Sequence, residues 1–295
     1  MWELNARTVA GGFGLGSTFD RLHSPKGLYV DRNQTIFVAD TSNNRIMKFT
    51  QDAVFGRNIT CKNISGYRPR GLRLPSNVMF DKCSRGLFIS DSHNRRVLRW
   101  FRSKNAEIFI ENIACGGLMV DDEDFLYVSD TERHEVRRYG ADDRRGTVVA
   151  GGYGQGSRLN QLNHPTYVFI GPDGGVYVSD TWNDRIMKWD KEAKEGIIVA
   201  GGKGKGQDRK QLDRPAGLIV DQLGTVYVAD HWNHRVMRWH KDASRGDIIA
   251  GGKHIAGDGE NQLNGPEGIA FDLYGNLYVA DSNNHRIQRF NIQTV

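Results

Sequence analysis

Asp40, Asp91, Asp130, Asp180, Asp230 and Asp281 recur along this 295-residue chain, and Arg45, Arg96, Arg185, Arg235 and Arg286 follow five of them at a distance of five residues. A carboxylate and a guanidinium recurring as a set can form a bidentate ion pair. Such a set could be a ring of ligand-binding charges or a pin that holds each loop. A ligand rarely needs six equivalent contacts, so the pin is the expected role. The third copy, Asp130-Thr-Glu-Arg-His-Glu135, puts Glu where Arg should stand. His134, His234 and His285 share one motif position. They sit on different repeat units, too far apart to converge on one zinc at roughly 2 Å, and they read as hydrogen-bonding loop histidines. Gly-Gly-x-Gly-x-Gly segments begin at Gly11, Gly151 and Gly201. A dinucleotide fingerprint needs a helix opening at its end. Here Gln-Leu-x-x-Pro and a strand follow instead, so the glycines are expected to serve the backbone of a connection.

The positions that vary are more informative. Two residues after each Asp stand Ser42, His93, Glu132, Trp182, Trp232 and Asn283. Two tryptophans on adjacent loop tips could anchor a partner or pack on the neighbouring Gly-rich connection. His231 adjoins Trp232, and His164 and Arg214 precede Pro165 and Pro215. Lys62, Arg68, Arg70 and Arg73 form one basic cluster; Lys203, Lys205, Arg209, Lys210 and Arg214 form another. The candidate ligand-binding set is Trp182, Trp232, His231, His93, His164, Arg214, Lys205, Arg70, Lys26 and Glu267. No catalytic set stands out, no Gly-x-Ser-x-Gly elbow occurs, and no cofactor or metal ligands are expected.

These residues need elements to hold them. The motif spacings of 51, 39, 50, 50 and 51 residues mean one supersecondary unit stacked six times. The fifth unit shows its strands: 217–221, 225–229, 235–239 and 247–250, rich in β-branched and aromatic residues and separated by turns. Four antiparallel strands per unit describe a propeller blade. The last unit stops after its third strand, while Thr8-Val-Ala-Gly-Gly12 matches the fourth strands at 147–152 and 197–202. The expectation is an all-β, six-bladed β-propeller over residues 1–295, closed by the N-terminal strand completing the last blade. Closure hides sheet edges that an open array would leave unpaired. The strand-Asp-[Ser/Thr]-x-Asn-x-Arg-[Ile/Val]-strand pattern resembles the NHL repeat over essentially the whole chain. The resemblance implies a six-bladed propeller in which the repeated Asp and Arg tie neighbouring loops together.

Strand order puts the Asp loops and the long Gly-rich connections on one side, the top. The connections carry twelve Lys or Arg against five Asp or Glu and the six Asp loops sum to −2, so the top is expected to hold the whole net charge of +5. The stretch from Trp100 to Cys115 is too short to hold a Gly-rich connection, which predicts a notch between blades two and three. Lys26, Ser76, Gly116, Thr166, Ala216 and Glu267 are expected to line the mouth of the central channel. Three sequons, at Asn33, Asn58 and Asn63, favour an extracellular or secreted glycoprotein over a cytoplasmic one. Cys61, Cys83 and Cys115 map too far apart for a disulfide. No apolar run could span a bilayer and Met1-Trp2-Glu3 does not begin a signal peptide. The chain reads as a monomer or part of a larger multidomain chain.

Three functions follow. The first is a non-enzymatic scaffold or interaction module that binds a protein, peptide or glycan through the top face. The second is a single-stranded RNA binder using basic residues beside aromatics; some NHL domains bind RNA. The third is a metal-dependent lyase or hydrolase, since related six-bladed propellers place acidic or His ligands around the central channel. One carboxylate facing one Lys does not supply the six to eight oxygens that calcium takes.

Overall fold

The computed structural model describes residues 2–3, 5–60, 71–101, 106–141, 143–252 and 255–293. Lys62, Asn63, Arg68, Arg70 and Cys61 lie outside the described residues. The chain forms six four-stranded sheets, each a blade of antiparallel strands, five of them built from strands in sequence order. In blade five the strands are Pro215–Val220, Val226–Asp230, Arg235–Trp239 and Asp247–Ala250, running from the channel outward. The first strand starts two residues earlier than its apolar run suggests. Pro215 still pairs with Asp230, across a bulge that ends at Leu218. A proline needs no ladder N–H at the first residue of a strand.

The ring closes as the sequence predicts. Arg7–Gly11 is the outermost strand of blade six and pairs antiparallel with Arg286–Phe290, Arg7 opposite Arg289 and Gly11 opposite Arg286. Upstream, Trp2 stacks on Phe271 with ring centroids 5.7 Å apart, meets Tyr227 edge-on at 5.6 Å, and donates its indole N–H to Gly275 O at 2.8 Å. The N-terminus therefore touches blade five as well as blade six. The core lies between neighbouring blades. Val228, Met237 and Trp239 of blade five pack with Tyr177, Ile186 and Leu212 from the blade-four side. Burying each such side chain stabilises by about 1.5–3 kcal/mol.

The long connections take a path that strand order alone does not reveal. Leu22, Leu162, Leu212 and Leu263, each three residues before a proline, are fully buried. These anchors pull the connections off the top and onto the outer flank of the next blade. There Phe19 O accepts the Gly56 N–H, Leu159 O accepts Gly196 and Arg209 O accepts Gly246. The positive charge of the connections is thus shared between top and flank. Arg209 pairs with Asp247 at 3.5 Å on the flank. The connection between blades two and three is missing as expected: the outer strand Ala106–Glu111 is followed after three residues by Cys115–Val120. Cys83 and Cys115 are free thiols, one exposed and one buried. Among the described residues no helix is long and apolar enough to cross a membrane.

Candidate functional site

In five blades the top loop is a short 3-10 turn between the second and third strands, in blade three it is a plain turn, and in all six its aspartate is buried. In blade five, Arg235 Nε meets Asp230 Oδ2 at 2.7 Å. The other guanidinium nitrogens donate to Gln207 O at 2.8 Å, Asp208 O at 3.2 Å and Gln211 O at 3.1 Å. The carboxylate also accepts the Asp213 N–H at 2.7 Å and the Asn233 amide at 2.9 Å. The pair is therefore not bidentate, contrary to the sequence-based expectation. The connection's carbonyls need donors, and the guanidinium fork is spent on them. One Asp–Arg–Asn set fastens the loop and the incoming connection together, and it recurs at Arg45, Arg96, Arg185 and Arg286. Burial pushes the Asp180, Asp230 and Asp281 carboxyls up, while arginine and amide donors pull them back.

A second fastener was not read from the sequence. Four residues after each Asp, the chain turns left-handed: Asn44, Arg95, His134, Asp184, His234 and His285 all have φ between 52° and 56°. Five of these side chains accept a backbone N–H from the connection entering the next blade. Asn44 takes Leu74, His134 takes His164, Asp184 takes Arg214, His234 takes Gly265 and His285 takes Ser24, at 2.8–3.1 Å. The histidines use Nδ1, so each must leave that nitrogen unprotonated. Burial lowers the pKa of His164, His234 and His285. The signal was present in the sequence: in five copies the position holds a side chain able to accept. Arg95 cannot accept. It faces the missing connection and pairs with Glu132 at 2.6 Å instead.

The broken third copy has the same cause. With no Gly-rich connection entering blade three, an arginine at position 135 would find no carbonyls. Glu135 pairs instead with Arg137 at 2.6 Å, and Asp130 turns to the N–H groups of Glu132 and Arg133 in its own loop.

The fasteners position the variable residues. His164 and Arg214 are left-handed, with φ of 55° and 49°, an uncommon state for residues with a Cβ that is held by the His134 and Asp184 acceptors. His164 stacks on Trp182 at 4.5 Å and 9°. The Arg214 guanidinium lies 5.8 Å from the Trp182 ring and 5.5 Å from the Trp232 ring, and Lys205 Nζ lies 5.6 Å from Trp232. The loop tips of blades four and five thus form one ladder, His164–Trp182–Arg214–Trp232–Lys205. Its tryptophans remain 48% and 54% exposed, so the rings pack on the connections while half of each faces solvent. Lys205 also reaches Asp213 at 3.3 Å. Arg214 has no ion pair among the described residues.

His231 links the ladder to the channel mouth. Its ring is 6.4 Å from Trp232, and its Nδ1 lies 3.2 Å from Pro266 O and 3.8 Å from Glu267. Lys26 Nζ lies 3.5 Å from the same Glu267 oxygen. Hydroxyl pairs, Thr166–Thr181 and Ser76–Ser92, each at 2.6 Å, lie near the top ends of blades four and two. His93 is exposed on the blade-two loop, apart from the ladder. Among the described residues no three His, Cys, Asp or Glu side chains gather as a metal site. One carboxylate shared between a lysine and a histidine does not fit calcium.

A family model described as SMP-30/Gluconolactonase/LRE-like region matches residues 74–294. The chain belongs to this family. An NHL-repeat model matches residues 22–49, within blade one. Solved structures similar to this SMP-30/gluconolactonase/LRE-like chain include a protein of unknown function from Bacteroides thetaiotaomicron, with TM-score 0.79 and 16% identity over 98% of this chain and 76% of that one. An auxiliary nutrient binding protein from the same organism gives TM-score 0.76 and 15% identity, over 99% and 77%. A catalytically inactive virginiamycin B lyase from Staphylococcus aureus gives TM-score 0.63 and 10% identity, over 99% and 100%. At these identities the likeness shows the propeller fold. No curated protein matches the chain.

Proposed function

We propose that this propeller is a non-enzymatic binding module that takes a protein, peptide or glycan ligand on the Trp182–Arg214–Trp232 ladder. The observation that carries the proposal is two half-exposed indoles held on adjacent loop tips by a guanidinium with no carboxylate partner among the described residues. Indole faces take apolar or sugar-ring surface, and Arg214 takes a carboxylate or another anionic group. The neighbour whose printed name is auxiliary nutrient binding protein accords with a ligand-binding role. The test is a screen of the purified chain on peptide and glycan arrays. Ligands that bind the wild type should lose binding to W182S/W232N, which copies the tips of loops one and six.

A single-stranded RNA reading draws on Lys205 and Arg214 beside the indoles. Against it, Arg214 fills the space between the rings, and Lys205 and Arg209 face aspartates. Strong salt-dependent binding of an oligouridine, lost in R214Q, would favour RNA. A lyase or hydrolase reading has the family name and a lyase neighbour in its favour, and the donor set at the mouth against it. Stoichiometric metal in the purified protein would restore it. For the compartment, Asn33 and Asn58 are exposed, which supports a secreted glycoprotein. A mass shift on endoglycosidase treatment of chain from a secreting eukaryotic cell checks this.

A further inference from the structure

On the outer flank, where the closing strand of blade six meets blade one, lies a cavity of about 320 Å³. It is lined by Arg7–Gly12, Phe13, Gln34, Ile36, Val54, Tyr278 and Arg289, among others. Two polar atoms of its lining residues lack protein partners. The Gln34 side-chain oxygen and Arg289 Nε are buried and make no hydrogen bond. Arg7 is matched by Asp52 at 3.2 Å. Arg289 has no ion pair among the described residues, which leaves a net positive cavity wall.

The rim of this seam is apolar. Phe13, Val54 and Phe55 are 55%, 56% and 67% exposed. The repeat places Tyr153, Lys194 and Glu195 at the same positions between blades three and four, and Lys203, Ser244 and Arg245 between blades four and five. The positions therefore tolerate charge, and the fold does not require apolar side chains there. Exposed apolar groups gathered around a cavity with a polar wall mark interaction surfaces. The closing strand also runs along the cavity with its outer edge unpaired, as extended peptides require when they add to a sheet.

We infer that this seam docks an extended segment of a partner protein carrying an aromatic or aliphatic side chain beside a carboxylate. The apolar side chain enters the cavity between Phe13 and Val54, and the carboxylate faces Arg289. The ligand ladder lies on the loop tips of blades four and five, so the two surfaces are separate.

The test uses the unglycosylated chain and fluorescein-labelled peptides read by fluorescence polarisation. One peptide has a phenylalanine flanked by aspartates and glutamates; a second has glycine for the phenylalanine; a third has lysines for the acids. The wild type should bind the first at least about tenfold tighter than the others, roughly 1.4 kcal/mol. F13K/V54K/F55E installs residues found at the equivalent positions, so it should keep the wild-type unfolding transition while losing that binding about tenfold or more. W182S/W232N should bind the first peptide as the wild type does, whatever becomes of the ladder's own ligand. Equal binding of the lysine peptide, or undiminished binding by F13K/V54K/F55E, would overturn the inference. So would a wild-type dimer in sedimentation that F13K/V54K/F55E dissolves, because the occupant would then be a second copy.

Discussion

Asp180 and Trp182 stand two residues apart in one loop and answer to different constraints. Asp180 is fully buried and its contacts recur in four other blades; Trp182 is half exposed and has a counterpart in one. The same division separates the seams. Five carry an acceptor from the left-handed loop residue into the next connection, while the seam between blades two and three has neither connection nor acceptor. Where the backbone of a connection must be satisfied, the sequence repeats. Where it need not be, at the tips and at the missing connection, the residues vary, and the proposed ligand site lies on two of those tips.

The strongest way to break this comparison is to remove the repeated half. Deleting residues 1–12 strips blade six of its outer strand and the Trp2 contacts with blade five. At about 2–4 °C per kcal/mol, the thermal midpoint of the whole ring should fall by about 10 °C or more. A transition matching the full chain would contradict closure. Next in size is R235L, which leaves Asp230 buried without its cation and three connection carbonyls without a donor. Breaking a buried pair costs about 3–5 kcal/mol, measurable by urea denaturation.

The sequence told the repeat, the blades and the closure because short apolar strands and turns every fifty residues have few other solutions. It placed Trp182, Trp232, His164 and Arg214 near one another because motif position fixes loop position. It did not tell that Leu22, Leu162, Leu212 and Leu263 draw the connections down the flank, since that depends on cavities between blades that no local pattern encodes. For the same reason the charge expected on top is divided, and Phe13 and Val54, about forty residues apart, line one cavity across a seam unnoticed. The ladder's order, with Arg214 between two indoles, follows from left-handed residues before proline, which propensity argues against.

A smaller effect sharpens the account through pH. His234 and His285 accept through Nδ1, and burial depresses their folded pKa below the usual value near 6.5. As pH falls below about 6.5 the unfolded chain takes up protons first. The stability from these contacts is thus complete above that pH and is lost toward the lower folded pKa. Each contact is worth about 0.5–1.5 kcal/mol. H234N/H285N, which copies Asn44, keeps the acceptors without titration. Its thermal midpoint should fall less than the wild type's between pH 7.5 and pH 5.5. An identical fall would remove these histidines from the account.

Smallest in stability are the tips. Exposed cation–π contacts contribute about 0.5–1 kcal/mol each, so W182S/W232N should unfold within about 2 kcal/mol of the wild type. Its effect on binding should be far larger, and that contrast is the central claim. One titration decides it: a ligand selected on the arrays, measured by calorimetry against the wild type and W182S/W232N under conditions where both are folded. Binding on the ladder should give heat for the wild type and none for the variant. Equal affinities would place the ligand elsewhere and contradict the division between a repeated scaffold and its variable tips.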